Sequence, residues 1–185
     1  MKLREFAGIL PVDTAAGAGL DVAAITSNSR EVAAGSLFFG VPGSKSDGAA
    51  YAADAARRGA VAVVVNEAAS TEKLDAAVLR VPDSRRALAL SAARFYGRQP
   101  ATMVAVTGTS GKTSVASFVR QIWEHAGHAA ASIGTTGVTA PGRNDYGTLT
   151  TPDPVALHKL LQELANSGVT HAAMEASSHG LDQPR

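Results

Sequence analysis

The sequence predicts an α/β protein made of two units, and three observations support this. Apolar runs suited to buried parallel strands alternate with segments of helical periodicity. A break containing glycine and proline interrupts the alternation at residues 97–100. A glycine-rich turn at residues 107–113 then joins a strand-like run to a helix-like run. We therefore predict one unit over residues 1–97 and a second, parallel-sheet unit over residues 98–185.

In the first unit, strand-like runs and helix-like segments follow one another. Strands are predicted at residues 37–41, 60–65 and 77–81, which are short and apolar. One helix is predicted over residues 49–58, with Gly59 placed to end it. A second amphipathic helix is predicted over residues 84–96. This order indicates an α/β module.

The second unit repeats the order of strand, helix and strand. Strands are predicted at residues 102–107, 129–134 and 169–175. The helix after the glycine-rich turn has one apolar face, formed by Val115, Phe118, Val119, Ile122, Trp123 and Ala126. Asp153 is predicted to cap a later helix that has Pro154 at its first position and a buried stripe of leucines. Residues 139–147 are rich in turn-forming residues and are predicted to be a loop.

The composition excludes several classes of function. The formal net charge is +1, so no strong field indicates nucleic acid or an anionic membrane as a partner. Cysteine is absent, which excludes disulfides and thiolate chemistry and fits a cytoplasmic location. We see neither a signal peptide nor an apolar run of the roughly 18 residues that a membrane span needs.

The glycine-rich turn indicates a phosphate-binding loop. Its candidate nucleotide-binding residues are Gly108, Thr109, Ser110, Gly111, Lys112, Thr113 and Ser114. Backbone N–H groups of such a loop surround phosphate oxygens, and the following helix N-terminus adds partial positive charge. The lysine can reach the β- and γ-phosphates, and the Thr113 hydroxyl can bind Mg²⁺. The general pattern would require glycine at position 106, where this chain has valine.

Four segments together resemble the Mur ligases, whose relatives include the folylpolyglutamate synthases. The loop at residues 107–113 reads TGTSGKT, and the others are SNSR at 27–30 with GSLFF at 35–39, LTTP at 149–152, and MEASSHGL at 174–181. The last resembles the signature of the family member that adds the third peptide residue. The resemblance covers about residue 20 to Arg185, and the family continues beyond this point. It therefore implies an N-terminal portion that binds ligands without full turnover: a nucleotide-sugar domain followed by the first part of an ATPase domain.

The resemblance implies an ATP-dependent ligase of cell-wall precursor synthesis. The substrates would be ATP, UDP-N-acetylmuramoyl-L-alanyl-D-glutamate and a diamino acid, either meso-diaminopimelate or L-lysine, with Mg²⁺ as cofactor. The D-glutamate carboxylate would become an acyl phosphate, from which the incoming amine displaces phosphate. A cytoplasmic monomer is expected.

By the same resemblance, individual residues receive roles. Lys112 and Glu175 are the candidate catalytic residues, and Thr113 and Glu175 are the candidate metal ligands. The candidate substrate-binding residues are Ser27, Ser29, Ser44, Lys45, Ser46, Thr150, Thr151, Ser177, Gln183 and Arg185. The chain departs from the family pattern at Asn28, where aspartate is usual, and at Ser110 and Leu149, where asparagine is common.

Several alternatives stay open at this stage. Another Mur-type ligase, a ligase similar to folylpolyglutamate synthase, or a non-catalytic nucleotide-binding module would share the loop. A phosphotransferase or GTPase would need the full loop pattern, and a GTPase also guanine-reading motifs, which we do not find. None of the histidines shows a metal-ligand spacing, and His179 is interpreted as structural.

Overall fold

The computed structural model describes residues 1–12, 17–43, 47–71, 74–146 and 153–177. The chain divides into two compact units, Met1–Phe95 and Tyr96–Arg185. The α/β class predicted from the sequence is confirmed. Whether residues 1–97 fold as a separate domain stays a prediction.

The first unit contains a four-stranded sheet in which all strands are parallel. The strands are β1 (Ala24–Thr26), β2 (Ser36–Gly40), β3 (Ala60–Asn66) and β4 (Ala77–Val81), and they lie in that order. All five residues of β2 are buried, and β3 is buried from Ala62 to Val65, which explains their continuous apolar sequences. The sequence prediction did not include β1, which has only 3 residues.

Two α-helices follow strands of this sheet. Helix α1 is Ala52–Arg57, preceded by a 3-10 turn at Gly48–Tyr51, and α2 is Ser84–Tyr96. Two further 3-10 helices span Leu3–Phe6 and Ser29–Glu31. The core between α1 and the sheet is formed by small and β-branched side chains around Phe38.

The second unit contains a five-stranded mixed sheet in the order β5-β9-β6-β7-β8. Its strands are β5 (Thr102–Val106), β6 (Ala130–Gly134), β7 (Gly137–Ala140), β8 (Arg143–Asp145) and β9 (His171–Glu175). Strand β9 lies between β5 and β6 and is parallel to both. Strands β7 and β8 are antiparallel additions at one edge. The prediction of a loop over residues 139–147 is therefore wrong where β7 and β8 form a hairpin.

Helix α4 (Pro154–Asn166) packs on the sheet of the second unit as predicted. Asp153 caps it, since its Oδ1 accepts hydrogen bonds from the N–H groups of Val155 at 3.0 Å and Ala156 at 3.1 Å. Leu157, Leu161 and Leu164 are buried against β6 and β9 residues. This packing supports the strands whose ends carry the candidate site.

Helix α3 (Lys112–His125) follows the glycine-rich loop, and its apolar face is only partly covered. Ala116 is buried, whereas Val115, Phe118 and Ile122 are 45%, 59% and 65% exposed. Near its C-terminus, the Trp123 ring lies 5.1 Å from the ring of His171, which stacks on His128 at 4.1 Å. The periodicity therefore predicts the helix correctly but not how much of its apolar face is buried.

No helix within the described part of the chain is both long and apolar enough to cross a membrane.

Candidate nucleotide-binding site

The glycine-rich loop lies between the end of β5 at Val106 and the start of α3 at Lys112. Gly108 and Gly111 have φ angles of 140° and 80°, which L side chains rarely adopt, so these two positions need glycine. The N-cap residue of α3 is Gly111, which has no side chain to accept a hydrogen bond from the first-turn N–H groups. The first-turn N–H groups and the helix dipole therefore provide a site suited to an anion such as phosphate.

Lys112, the first residue of α3, has its side chain directed toward the loop. Its Nζ donates a hydrogen bond to the carbonyl oxygen of Gly108 at 2.7 Å. Residues 107–111 and Ser114 are exposed, and Lys112 and Thr113 are half-buried. The exposed loop and its half-buried lysine thus lie together, where they can contact a phosphate group.

Glu175 is placed beside this loop by strand pairing. It ends β9, where it lies opposite Val106, the last residue of β5. The next residue, Ala176, donates its N–H to the carbonyl oxygen of Val106 at 2.8 Å. The carboxylate and the loop therefore follow neighbouring strands at the same edge of the sheet, where ligands commonly bind in parallel sheets.

The Glu175 carboxylate is buried, with only 2% of the residue exposed. The N–H of Thr135 donates to Oε1 at 2.9 Å, and the Thr135 hydroxyl donates to Oε2 at 3.1 Å. Thr135 thus contacts both carboxylate oxygens, and a carboxylate oxygen is a ligand type that hard cations prefer. Sequence reasoning missed Thr135, because its pairing with Glu175 spans 40 positions.

The residues present fit Mg²⁺ and a nucleoside triphosphate by their chemistry. The Thr113 hydroxyl and the Glu175 carboxylate are oxygen donors, which hard cations prefer, and Mg²⁺ commonly keeps waters and phosphate oxygens as its other ligands. Among the described residues, no group of three histidines, cysteines or carboxylates could hold a metal by itself. Such a site would thus depend on the nucleotide for further ligands.

In the first unit, the segment after β1 is organised by Asn28 rather than by the two candidate serines. Its Oδ1 accepts from the N–H of Arg30 at 3.1 Å, and its Nδ2 donates to Oε1 of Glu31 at 2.9 Å. Ser27 is exposed and Ser29 is half-buried. Asparagine suits this position because an aspartate could not donate to the Glu31 carboxylate.

The remaining candidate residues fall into two groups. Ser177 is half-buried and lies two positions after Glu175. The others lie outside the described residues, as does Leu149: they are Ser44, Lys45, Ser46, Thr150, Thr151, Gln183 and Arg185. Their roles rest on the sequence alone.

Most of this chain matches models of known protein families. Residues 106–185 match the Mur ligase middle domain, and residues 21–96 match the model described as Mur ligase family, catalytic domain. Together with the loop at the end of β5, these matches define the class: the chain belongs to the Mur ligase family.

Among its relatives are UDP-N-acetylmuramoyl-L-alanyl-D-glutamate--2,6-diaminopimelate ligases. Those of Mesorhizobium japonicum and Chelativorans sp. are 69% and 64% identical over 185 residues, which is 100% of this chain and 38% of each relative. The chain therefore spans about two fifths of the length of these relatives.

Solved structures show the same relationship. A structure of UDP-N-acetylmuramoyl-L-alanyl-D-glutamate--2,6-diaminopimelate ligase has a TM-score of 0.78 at 28% identity, covering 99% of this chain and 37% of that one. The MurF ligase from Thermotoga maritima, in complex with ADP, has a TM-score of 0.56 at 24% identity, covering 86% of this chain and 32% of that one. The second similarity concerns the fold alone.

Proposed function

We propose that this chain provides the nucleotide- and precursor-binding portion of an ATP-dependent amide ligase of peptidoglycan synthesis. The ligase adds the third residue, meso-diaminopimelate or L-lysine, to UDP-N-acetylmuramoyl-L-alanyl-D-glutamate. The observation that carries this proposal is the glycine-rich loop at the end of β5, beside Glu175 at the end of β9. The names of the relatives that are 69% and 64% identical support the choice of substrate.

ATP binds with its phosphates at the loop. The N–H groups of residues 108–114 surround the phosphate oxygens, and Lys112 meets the β- and γ-phosphates. Lys112 then exchanges its bond to the Gly108 carbonyl oxygen for a charge-assisted bond to phosphate. Thr113 and Glu175 would hold Mg²⁺, which would supply positive charge near the phosphates.

The chemical problem is that two anions must meet. An oxygen of the precursor's D-glutamate carboxylate attacks the γ-phosphorus of ATP, the bond from that phosphorus to the β,γ-bridging oxygen breaks, and ADP leaves. The attacking carboxylate and the γ-phosphate both carry negative charge. Lys112, the loop N–H groups and the helix N-terminus reduce this repulsion, and bound Mg²⁺ supplies further positive charge. The resulting acyl phosphate is attacked by the amine of the diamino acid, which forms the amide and releases phosphate.

The first unit binds the uridine nucleotide of the precursor. Ser27 and Ser29 follow β1 at the carboxyl end of its parallel sheet, where ligands commonly bind in such sheets. By the family resemblance, other residues would also bind the precursor. Ser44, Lys45 and Ser46 would contact the uridine nucleotide, and Thr150, Thr151, Ser177, Gln183 and Arg185 would contact the acyl and peptide part. We expect the protein to act as a monomer, on small-molecule substrates, in the cytoplasm.

The test has two parts, the first on the 185-residue chain itself. Calorimetric titration is expected to show binding of Mg²⁺–ATP and of the UDP-muramyl dipeptide, whereas incubation with both and a diamino acid yields no tripeptide. Absence of binding by either ligand would contradict the proposal. Tripeptide formation would contradict the expectation of binding without turnover.

The second part asks whether this portion supports catalysis in a complete ligase. A chimera joins this chain to the remaining part of the Mesorhizobium japonicum relative, which is 69% identical over the matched region. It is expected to form tripeptide and release phosphate, and Lys112→Ala in the chimera should abolish both. A folded chimera that binds both ligands without forming product would favour a non-catalytic binding module. Activity toward a precursor that already carries the third residue would instead favour another Mur-type ligase.

A further inference from the structure

Glu175 is held by a tight turn that lies 40 positions earlier in the chain. Gly134 pairs with Gly137 where β6 meets β7, so Thr135 and Thr136 form a two-residue turn. Thr135 contacts both oxygens of the carboxylate, through its backbone N–H at 2.9 Å and its hydroxyl at 3.1 Å. The turn between two paired strands therefore fixes the carboxylate of a third strand.

Gly134 contributes by having no side chain. Ile133 pairs with Met174 in the parallel register, which places Gly134 next to Glu175. A Cβ built on Gly134 would overlap Oε1 of Glu175 and would lie 2.5 Å from its Cδ and 2.8 Å from its Cγ. Its φ angle is not among the positive glycine values, so the backbone would accept alanine. The requirement for glycine thus comes from the carboxylate itself.

We propose that Gly134 and Thr135 form a clamp that positions the Glu175 carboxylate toward the divalent cation, with Thr135 as a positioning residue. This inference rests on the proposed function, in which Glu175 binds Mg²⁺ beside the nucleotide. Hydrogen bonds that orient a ligating carboxylate restrict its rotation, and their loss commonly reduces metal affinity or activity by about 10- to 100-fold. Thr135 donates one such bond from its side-chain hydroxyl, which a substitution can remove. It donates another from its backbone N–H, which a substitution leaves in place.

The experiment measures ATP affinity of the full chain by calorimetry, once with Mg²⁺ and once with chelator. Thr135→Val keeps the branched shape and the N–H but removes the hydroxyl. It is expected to weaken binding about 10-fold or more with Mg²⁺ and to leave binding in chelator unchanged. The ATP affinity of Thr135→Ser should stay within about threefold of the wild-type value, because serine keeps the hydroxyl. Thr139→Val is the matched control, since it removes a hydroxyl from the same hairpin that bonds Asn144 instead.

A spectroscopic measurement follows the cation directly. Mn²⁺ replaces Mg²⁺, and its electron paramagnetic resonance spectrum is recorded with ATP and each variant. The spectrum of Thr135→Val should differ from that of wild type, and those of Thr135→Ser and Thr139→Val should not. Gly134→Ala should weaken Mg²⁺-dependent ATP binding, because the added Cβ displaces the carboxylate. In the double variant Gly134→Ala/Glu175→Asp, the shorter carboxylate side chain leaves room for that Cβ. The double variant should therefore bind Mg²⁺–ATP more tightly than the sum of the two single losses predicts.

The outcomes separate this inference from the function on which it rests. If Thr135→Val binds Mg²⁺–ATP as wild type does while Glu175→Ala loses the metal-dependent part, the clamp alone is overturned. An equal loss in Mg²⁺ and in chelator, or failure of serine to restore binding, would also overturn it by indicating a general structural role. If wild type shows no metal-dependent binding, the proposed metal site fails and the clamp fails with it.

Discussion

The Nζ of Lys112 lies 2.7 Å from the carbonyl oxygen of Gly108, to which it donates a hydrogen bond. The first residue of α3 is thereby tied to the loop that precedes it. A bound phosphate would compete for this ammonium, because a charge-assisted bond to an anion is stronger than one to a neutral carbonyl. In the proposed function, this side chain therefore has two roles, one in tying the loop to α3 and one in binding phosphate.

Lys112→Ala is expected to weaken ATP binding about tenfold or more, both with Mg²⁺ and with chelator. A charge-assisted hydrogen bond contributes roughly 1.5–3 kcal/mol, which corresponds to at least that ratio. Calorimetric titration of the folded variant measures it, with folding first checked by circular dichroism. Lys159→Ala, which changes an exposed lysine on α4, is the control. Unchanged affinity for Lys112→Ala would refute the role of the loop in phosphate binding.

Glu175→Ala is expected to remove mainly the metal-dependent part of ATP affinity. The carboxylate contributes to binding through the cation, so titrations in chelator should resemble those of wild type. The comparison of dissociation constants with and without Mg²⁺ measures this difference. Glu163→Gln, on the exposed side of α4, should leave both values unchanged. Equal losses in the two conditions for Glu175→Ala would argue against a metal ligand.

Asp153→Ala is expected to destabilise the second unit by about 0.5–2 kcal/mol, because Asp153 caps α4 through two backbone N–H groups. Urea denaturation followed by circular dichroism measures the free energy of unfolding. Asp153→Asn retains the accepting oxygen and should lose much less. If alanine and asparagine destabilise equally, the cap is not the source of the effect.

Lower pH is expected to destabilise the second unit through His158. Burial lowers the pKa of His158 from its ordinary value of 6.5, because the charged imidazolium loses solvation. The unfolded chain binds a proton at His158 more readily than the folded chain does. The stabilising contribution of the neutral His158 side chain is therefore complete above pH 6.5, and it is lost as the pH falls through the pKa of His158 in the folded chain.

The measurement compares urea denaturation of wild type and His158→Gln at about pH 7.5 and about pH 5. The wild type should lose more stability between these values than the variant. His125→Gln is the control, because His125 is exposed on α3. Identical pH dependence for wild type and His158→Gln would exclude His158 as the cause.

Trypsin is expected to cut after Arg98 before it degrades either unit. Residues 97–99 are exposed, and exposed connections between units are preferred sites of proteolysis. Mass spectrometry should identify accumulating fragments of residues 1–98 and 99–185, and Arg98→Gln should suppress that cut. A chain that resists cutting there and melts as one unit by every probe would contradict the predicted domain boundary.

The sequence predicts most strands and helices because their signals are local. The apolar residues of β3, the leucine stripe of α4 and the Asp153 cap each lie within one short segment. The sequence predicts a loop over residues 139–147 because they are rich in Pro, Gly, Asn and Asp, and because β7 and β8 have only 4 and 3 residues. The pairing between β7 and β8 has no strong local signal.

The candidate site is less predictable than the fold, because it depends on contacts between distant segments. The phosphate loop could be found from its own residues, and Glu175 from the strand that it ends. The bonds from Thr135 to Glu175 depend on the register between β6 and β9, which the sequence does not state. A glycine before a threonine at the predicted end of β6 is the only local signal for this contact.

The position of Trp123, whose ring lies near that of His171, has a practical consequence for fluorescence measurements. Trp123 is the only tryptophan of the chain, and it lies on the helix that begins at Lys112. Residues 1–95 therefore contribute nothing to tryptophan emission. Tryptophan fluorescence therefore reports unfolding of the second unit alone, whereas far-ultraviolet circular dichroism reports unfolding of both units. The two signals together can distinguish the unfolding of one unit from that of the other without an added label.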